Sequence, residues 1–250
     1  MPLDFGYPWW LSYGHLALAV PAAALLFLGY RRGWSRWPML GLGLFTLWAG
    51  TVFLLIHFGV DINSQTPLPT QSFLRSGSGR VLDLGAGTGR SSIMVLTARP
   101  QATLVALDLF GDSFDRHFGH GESPRERLMQ NLKAAGVEKR AAVETADMRK
   151  LPFEAASFDA IVSSYAVDHL NRDGIKQALA EAARVVKPGG DFLLTLVAND
   201  GWAKLAFGPI LSHGGTRGRE WWSARLEEAG FQILETGTTP ATLYLLARRP

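Results

Sequence analysis

Three glycines at alternate positions carry the strongest chemical signal in the chain. Gly85, Gly87 and Gly89 follow the apolar run Val81-Leu-Asp-Leu84 and lead into a helix-compatible segment. Glycine permits backbone angles that side chains forbid and lets a ligand lie directly on the main chain. Asp83 falls at the end of the predicted strand, the edge at which open α/β sheets bind ligands. The pattern therefore predicts a nucleotide-type binding turn.

The spacing of these glycines narrows the class of ligand. The dinucleotide fingerprint G-x-G-x-x-G would need a third glycine where this chain has Arg90. A phosphate-binding P-loop would need Gly-Lys-Ser or Gly-Lys-Thr, and no such run follows Gly89. The turn favours a nucleoside without a phosphate chain over NAD, FAD or a nucleoside triphosphate.

Chemically useful side chains also follow the next predicted strands. Asp108 lies at the end of an apolar strand over residues 102–109, where it can accept hydrogen bonds from two ribose hydroxyls. Asp147 and Met148 come just after a third strand and offer a carboxylate for an exocyclic amine and a thioether for a purine face. Two further strands are predicted within residues 157–164 and, after a turn at Pro188-Gly-Gly190, within 184–195.

Taken in order, these motifs resemble those of class I S-adenosylmethionine-dependent methyltransferases, in the broad group that includes quinone-biosynthesis and other small-molecule enzymes. The resemblance spans roughly residues 79–248 and rests on five segments: Asp83-Leu-Gly-Ala-Gly-Thr-Gly89, Asp108, Ala146-Asp-Met148, Leu151-Pro-Phe with Ser157-Phe-Asp159, and Arg184-Val-Val-Lys-Pro-Gly-Gly190. It implies an α/β, doubly wound, Rossmann-like fold. Its seven-stranded sheet would be mostly parallel with one reversed strand, and its last two strands would cover residues 231–238 and 242–248.

The resemblance also implies an enzyme, S-adenosylmethionine as its cofactor, and roles for the matching residues. Asp83 and the glycines would hold the methionine end, Asp108 the ribose, and Asp147 with Met148 the adenine. The whole implied cofactor-binding set is Asp83, Gly85, Ala86, Gly87, Gly89, Asp108, Leu109, Asp147, Met148 and Ser163. The segment Ser163-Ser-Tyr-Ala166 replaces the Asn/Asp-Pro-Pro-Tyr that base-modifying relatives often carry, which disfavours DNA as the acceptor.

Histidines are the candidate proton acceptors, because methyl transfer to a hydroxyl or thiol needs alignment and a base with a pKa near neutrality. His117 and His120 lie in an unusual polar insert after the second strand, and His213 follows the fifth. Asp168 and His169 follow the fourth strand, which by resemblance faces the acceptor. The plainer interpretations are solvated loops and, for Asp168, a helix cap beside a packed ring. We predict His169 as the base or acceptor-orienting group.

Metal and nucleic-acid functions are not predicted. The insert contains possible ligands, but their spacing follows no recognised zinc or calcium pattern; they are Asp112, Asp115, His117, His120 and Glu122. The chain has no cysteine, which excludes a disulfide framework and a thiolate metal site. The net charge of +3 is modest and the basic residues are scattered, so nucleic acid is not an expected partner.

Two long uncharged stretches precede these motifs. Residues 5–30 and 37–60 contain no Asp, Glu, Lys or Arg, and each reaches the roughly 20 residues of a membrane-spanning helix. The chain opens without the positive charge of a secretory signal, and the stretches lack the polar face normal for a soluble helix of this length. We predict a two-helix transmembrane hairpin over 1–60, a linker and covering segment over 61–79 with a helix starting at 71–76, and a methyltransferase domain over 80–250.

The anchor predicts a small or lipid-soluble acceptor, such as a lipid headgroup, a quinone-like ring or a hydrophobic thiol. We predict a cytoplasmic catalytic domain because the cofactor is held in the cytosol, although Arg31, Arg32 and Arg36 would favour the cytoplasm for the hairpin loop instead. The alternative is a membrane module that binds the cofactor and regulates or scaffolds a partner without turnover. The sequence leaves the acceptor atom and the oligomeric state open.

Overall fold

The chain forms two compact units. In the computed structural model, the described residues are 3–60, 64–111, 123–199, 201, 204, 217–239 and 242–250. One unit consists of Gly6–Ser64 and the other of Met1–Phe5 together with Gln65–Pro250. The first is a helical hairpin and the second is an α/β domain.

The hairpin consists of α1 (Trp9–Arg31) and α2 (Arg36–Leu54), and α2 continues as a π-helical turn over Leu55–Val60. α1 begins four residues after the start of the uncharged stretch, because Gly6 has a φ of 75° and Pro8 is extended. Large apolar side chains are exposed along both helices. The spans Trp9–Arg31 and Arg36–Gly59 are long and apolar enough to cross a membrane.

The α/β unit contains seven strands and four helices within the described residues. The strands are β1 (Ser78–Leu84), β2 (Gln101–Asp108), β3 (Ala141–Thr145), β4 (Phe158–Ser164), β5 (Val186–Val197), β6 (Gln232–Thr239) and β7 (Thr242–Arg248). The helices are α3 (Arg90–Ala98), α4 (Pro124–Ala134), α5 (Arg172–Val185) and α6 (Arg219–Glu228), with 3-10 turns at Glu138–Arg140 and Val167–His169. The predicted turn at Pro188-Gly-Gly190 lies inside β5 rather than before it.

The sheet has the predicted topology. Its strand order is β3-β2-β1-β4-β5-β7-β6, and β7 runs antiparallel to both of its neighbours while the other pairs are parallel. The chain moves outward from β1 to β3 and then returns to place β4 on the other side of β1. Because the strand order reverses there, the carboxyl ends of β1 and β4 form the switch point at which open sheets bind ligands.

The centre of the sheet is buried on both faces. Val81, Leu82 and Leu84 in β1 and Ile161 and Val162 in β4 have no exposed surface. Parallel strands covered by helices on both faces characteristically form such continuous apolar runs. The rigid ends of β1 and β4 therefore fix the position of the residues that follow them.

Residues 71–76 form turns, and the helix predicted to start there is wrong. The guanidinium of Arg99 donates hydrogen bonds to the carbonyl groups of Gln71, Phe73 and Leu74. The N–H of Leu74 donates to Asp191 Oδ2 at 2.9 Å. These distant side chains take the backbone groups that a helix would pair internally, and so tie the segment before β1 to the domain.

Candidate functional site

The glycine turn is held open by hydrogen bonds to the neighbouring strand. Gly85 and Gly87 have φ values of 83° and 52°, in the left-handed region that favours glycine. The N–H groups of Gly85 and Ala86 both donate to the carbonyl of Leu107, at 2.8 and 3.0 Å. The N–H of Gly87 donates to Asp108 Oδ2 at 2.9 Å. The carboxyl ends of β1 and β2 are therefore joined before any ligand binds.

Gly85 is also required by close packing. A Cβ atom at this position would lie 2.3 Å from the Cβ of Ala166, which follows β4, and 3.0 Å from the Cε of Met148, which follows β3. Three separate strand exits thus converge on one residue. Met148 consequently lies beside the glycine turn, and its contact with adenine stays a prediction.

Asp83 is fully buried at the end of β1, where it connects this strand to the helix that follows the glycine turn. Its carboxylate accepts from Ser91 Oγ at 2.7 and 2.9 Å and from Ser92 Oγ at 2.5 Å, both in the first turn of α3. Burial raises the pKa of Asp83 to about 6, against the lowering effect of these serine hydroxyls, and the nearby charge of Asp108 raises it further. The two serines were not predicted as partners of Asp83, although hydroxyl residues directly after the glycine turn could have indicated this role.

Both carboxylate oxygens of Asp108, like those of Asp83, accept hydrogen bonds from nearby groups. Its Oδ2 accepts from Gly87, and its Oδ1 accepts from the N–H of Phe110 at 3.1 Å. Phe110 has a φ of 49°, an uncommon conformation for a bulky residue and one that often occurs at functional sites. A carboxylate offers about four lone-pair sites, so Asp108 retains capacity for a diol. Leu109 lies between them and is 56% exposed.

The remaining predicted cofactor residues differ in their surroundings. Asp147 accepts several hydrogen bonds from Arg149, between 2.6 and 3.0 Å, and these hold its pKa below the ordinary value. Ser163 is buried and its hydroxyl donates to the carbonyl of Leu84 at 2.7 Å. Ser163 therefore braces the β1 exit, and its direct contact with a cofactor stays a prediction.

The amino-terminal segment also contacts the glycine turn. Phe5 is buried, and its carbonyl accepts from Thr88 Oγ1 at 3.0 Å. The buried amide of Asn131 in α4 exchanges hydrogen bonds with the backbone of Asp4 and donates to the carbonyl of Thr88 at 2.9 Å. Sequence reasoning missed this link because Asp4 and Asn131 are 127 residues apart and neither belongs to a motif.

Asp168 and His169 lie on the 3-10 turn after β4, at the same edge of the sheet as the glycine turn. Asp168 Oδ1 is buried and has no hydrogen-bond partner among the described residues. Burial raises the pKa of Asp168, whereas the charges of His169 and Arg217 lower it. His169 is exposed, and its backbone N–H donates to the carbonyl of Ala166 at 3.1 Å. The acid, rather than the histidine, is thus the more enclosed of the two groups.

Hydroxyl groups line the strand ends next to this turn. Tyr165 has a φ of 52°, and its hydroxyl is hydrogen-bonded to Thr242 Oγ1 at the start of β7. Thr195 Oγ1 donates to Ser164 Oγ at 2.7 Å. The exits of β4 and β5 therefore present polar groups beside Asp168, and Tyr165 is held in a strained conformation.

Three predicted histidines, His117, His120 and His213, lie outside the described residues, as do the possible metal ligands Asp112, Asp115 and Glu122. Their roles stay predictions. Within the described ranges, no group of three His, Cys, Asp or Glu side chains converges as a metal-ligand set.

Comparison with known proteins identifies the domain. Residues 81–190 match the family model described as a methyltransferase domain. The chain is 39% identical over 113 residues to the ubiquinone/menaquinone biosynthesis C-methyltransferase UbiE of Brucella anthropi, covering 45% of this chain and 38% of that protein. It is 32% identical over 120 residues to the malonyl-[acyl-carrier protein] O-methyltransferase of Methylovorus sp., covering 48% and 37%.

A solved structure shares the fold over a longer stretch. The O-methyltransferase family protein from Burkholderia thailandensis superposes with a TM-score of 0.57 at 20% identity, covering 82% of this chain and 58% of that one. By contrast, the matches to the first three curated relatives span only 41 to 52% of those proteins' lengths.

Proposed function

We propose that this chain transfers a methyl group from S-adenosylmethionine to a small, lipid-soluble acceptor, as its match to a methyltransferase domain over residues 81–190 and its similarity to small-molecule methyltransferases support. The observation that carries this proposal is the glycine turn, whose N–H groups are bonded to Leu107 and Asp108 at the switch point of the sheet. A quinone-like ring or a hydroxyl or thiol compound fits this class, and UbiE, one of the relatives, is named for quinone biosynthesis.

The described residues fit this cofactor. A nucleoside needs a glycine cradle for close backbone approach and an acid for the ribose, and Gly85, Gly87 and Asp108 supply both. Asp83 gives the methionine end a buried negative charge, and Met148 offers its thioether to the adenine. When bound, the cofactor supplies an electrophilic methyl group.

The residues after β4 would accept the proton that the acceptor loses. Asp168 carries a buried oxygen without a partner in the described part of the chain, and burial raises its pKa above the ordinary value. Those properties suit a general base. His169 lies next to it and orients the acceptor or shares the proton. His117, His120 and His213 remain candidates for the same task.

The hairpin would anchor the enzyme where a lipid-soluble acceptor is found. α1 and α2 support this proposal by their length and by the large apolar side chains that they expose, since exposed apolar surface of this extent marks contact with membrane or partner. We place the catalytic unit in the cytoplasm, where the cofactor is held. Protease added to intact cells should leave it whole, whereas digestion from outside would contradict this orientation.

The direct test feeds methyl-labelled S-adenosylmethionine to membranes that contain the protein. We expect the label in an organic-soluble small molecule, and none in membranes with Asp108→Ala protein. Calorimetry with S-adenosylhomocysteine provides the control, because it reports cofactor binding without chemistry. Binding with no labelled product from any lipid extract would favour the alternative, a membrane module that binds the cofactor and regulates or scaffolds a partner.

A further inference from the structure

Arg217, two residues before α6, stacks on a tryptophan and has a guanidinium nitrogen without a hydrogen-bond partner among the described residues. Its guanidinium carbon lies 4.3 Å from the centroid of the Trp221 ring, a stacking distance that restrains the side chain. Nη1 is buried and has no hydrogen-bond partner within the described ranges. A buried charged donor without a partner is costly, so it requires an explanation such as a catalytic role or a bound ion, water or ligand.

The nearest opposite charge does not satisfy it. The charge of Arg217 lowers the pKa of Asp168, so the two groups attract one another. None of the ion pairs within 4.0 Å among the described residues joins them. Asp168 Oδ1 is itself buried without a described partner. Asp168 follows β4 and Arg217 precedes α6, which follows β5, so both lie at the carboxyl edge of the sheet, close enough for their charges to interact.

A second arginine, Arg225, also stacks on the Trp221 ring, and its guanidinium is paired with a carboxylate. The guanidinium of Arg225 lies 5.4 Å from the Trp221 centroid and forms an ion pair with Glu228 one turn further along α6. The charge of Arg225 is therefore paired within its own helix, although its buried Nε, like the Nη1 of Arg217, has no hydrogen-bond partner among the described residues. Arg217 has no such carboxylate in the described part of the molecule.

We propose that the acceptor is a phenol or an enol, a hydroxyl compound that is neutral when it enters the site. Arg217 binds the oxyanion that this acceptor forms when it loses its proton. This inference rests on the proposed methyl transfer. Asp168 takes the proton from the acceptor O–H, and the negative oxygen that remains pairs with the free Nη1 of Arg217. A carboxylic acid would arrive already ionised and be repelled by the Asp168 carboxylate, so the pair selects for a group that is neutral on entry.

A chromophoric phenol tests this directly. We would titrate the purified full chain with 4-nitrophenol in the presence of S-adenosylhomocysteine and follow the visible absorbance of the phenolate. The wild type should shift the bound probe toward its phenolate form. Arg217→Met should abolish that shift and weaken binding of the probe about ten- to a hundredfold, the effect expected for a hydrogen bond to a charged group.

Arg225→Met is the matched control, because it removes a guanidinium from the same ring and should leave both readouts unchanged. Calorimetry with S-adenosylhomocysteine checks that each variant is folded. If Arg217→Met no longer binds S-adenosylhomocysteine, Arg217→Gln, which keeps polarity without charge, is tested by the same absorbance and binding measurements. Equal behaviour of the Arg217 and Arg225 variants would overturn the inference. Failure of the wild type to bind S-adenosylhomocysteine would instead contradict the proposed function.

Discussion

The two halves of the site differ in how far their polar groups are already paired. In the half formed by β1 and β2, Asp83 accepts hydrogen bonds from two serines of α3, and Asp108 accepts from the N–H groups of Gly87 and Phe110. In the half that follows β4, Asp168 and Arg217 each hold a buried polar atom without a partner among the described residues. The two acids of the first half are paired by neighbouring residues, whereas Asp168 and Arg217 of the second half each retain an atom that can bind a ligand.

This difference reflects the ligands that the two halves would bind. Preorganised donors and acceptors cost no rearrangement when a constant ligand such as a cofactor binds. Unpaired buried charges reduce stability, and they are retained where they select or activate a variable ligand. Substitutions in the two halves should therefore separate into effects on cofactor affinity and effects on turnover.

The largest effect is expected from Asp168→Asn, which keeps the shape of the side chain but removes the base. Turnover should fall by at least about a hundredfold while affinity for S-adenosylhomocysteine is unchanged. Labelled methyl transfer to a lipid extract measures the first quantity and calorimetry the second. Asp173→Asn, an exposed acid on the next helix, is the control. A comparable loss in His169→Ala with normal Asp168→Asn turnover would assign the base to His169 instead.

Asp108→Ala should weaken cofactor binding, whereas Asp168→Asn should reduce turnover without changing cofactor affinity. It removes the predicted ribose acceptor and the partner of the Gly87 N–H, so cofactor binding should weaken by about 2–4 kcal/mol. Asp108→Asn keeps a carbonyl oxygen for Gly87 and should lose less. Calorimetry on both variants checks this order, and unchanged affinity in Asp108→Ala would remove Asp108 from the cofactor site.

Gly85→Ala tests whether the halves are joined by packing. The new Cβ would contact Ala166 and require a positive φ, so unfolding free energy should fall by about 2–4 kcal/mol. Gly77 has a φ of 77° with nothing within 4 Å of a Cβ, so Gly77→Ala isolates the backbone cost of about 1 kcal/mol. The double variant Gly85→Ala/Ala166→Gly should recover the difference in thermal unfolding. No recovery would mean that Ala166 is not the limiting contact.

The smallest effect concerns pH and Asp83. Its pKa of about 6 in the folded chain lies above the ordinary value of 3.8, so the protonated form favours folding. That contribution is complete below about pH 3.8 and is lost as pH rises through about 6. Without cofactor, the melting temperature of the wild type should fall relative to Asp83→Asn over this window and then level off. Parallel curves for the two proteins would contradict the raised pKa.

Several parts of the fold followed from local patterns. The apolar runs, the glycine turn and the acids at the strand ends predicted the individual strands up to β5, and the resemblance to class I methyltransferases implied the seven-stranded sheet with one reversed strand, which is confirmed. The covering helix at residues 71–76 was wrong because Arg99, distant in sequence, takes the backbone carbonyls there. The prediction that His169 is the base stays a prediction, and burial, which residue type does not reveal, adds Asp168 as the second candidate.

By itself, the sequence determined the elements and the chemistry of the cofactor half, because a glycine turn, its strand and its acid are adjacent along the chain and act through backbone conformation. Only the tertiary structure decided which distant groups meet. The approach of Ala166 to Gly85, the bonding of Asn131 to Asp4 and the interaction between the charges of Asp168 and Arg217 all depend on strand order and helix packing. Burial and charge at such contacts are set by long-range packing, which local residue patterns do not encode.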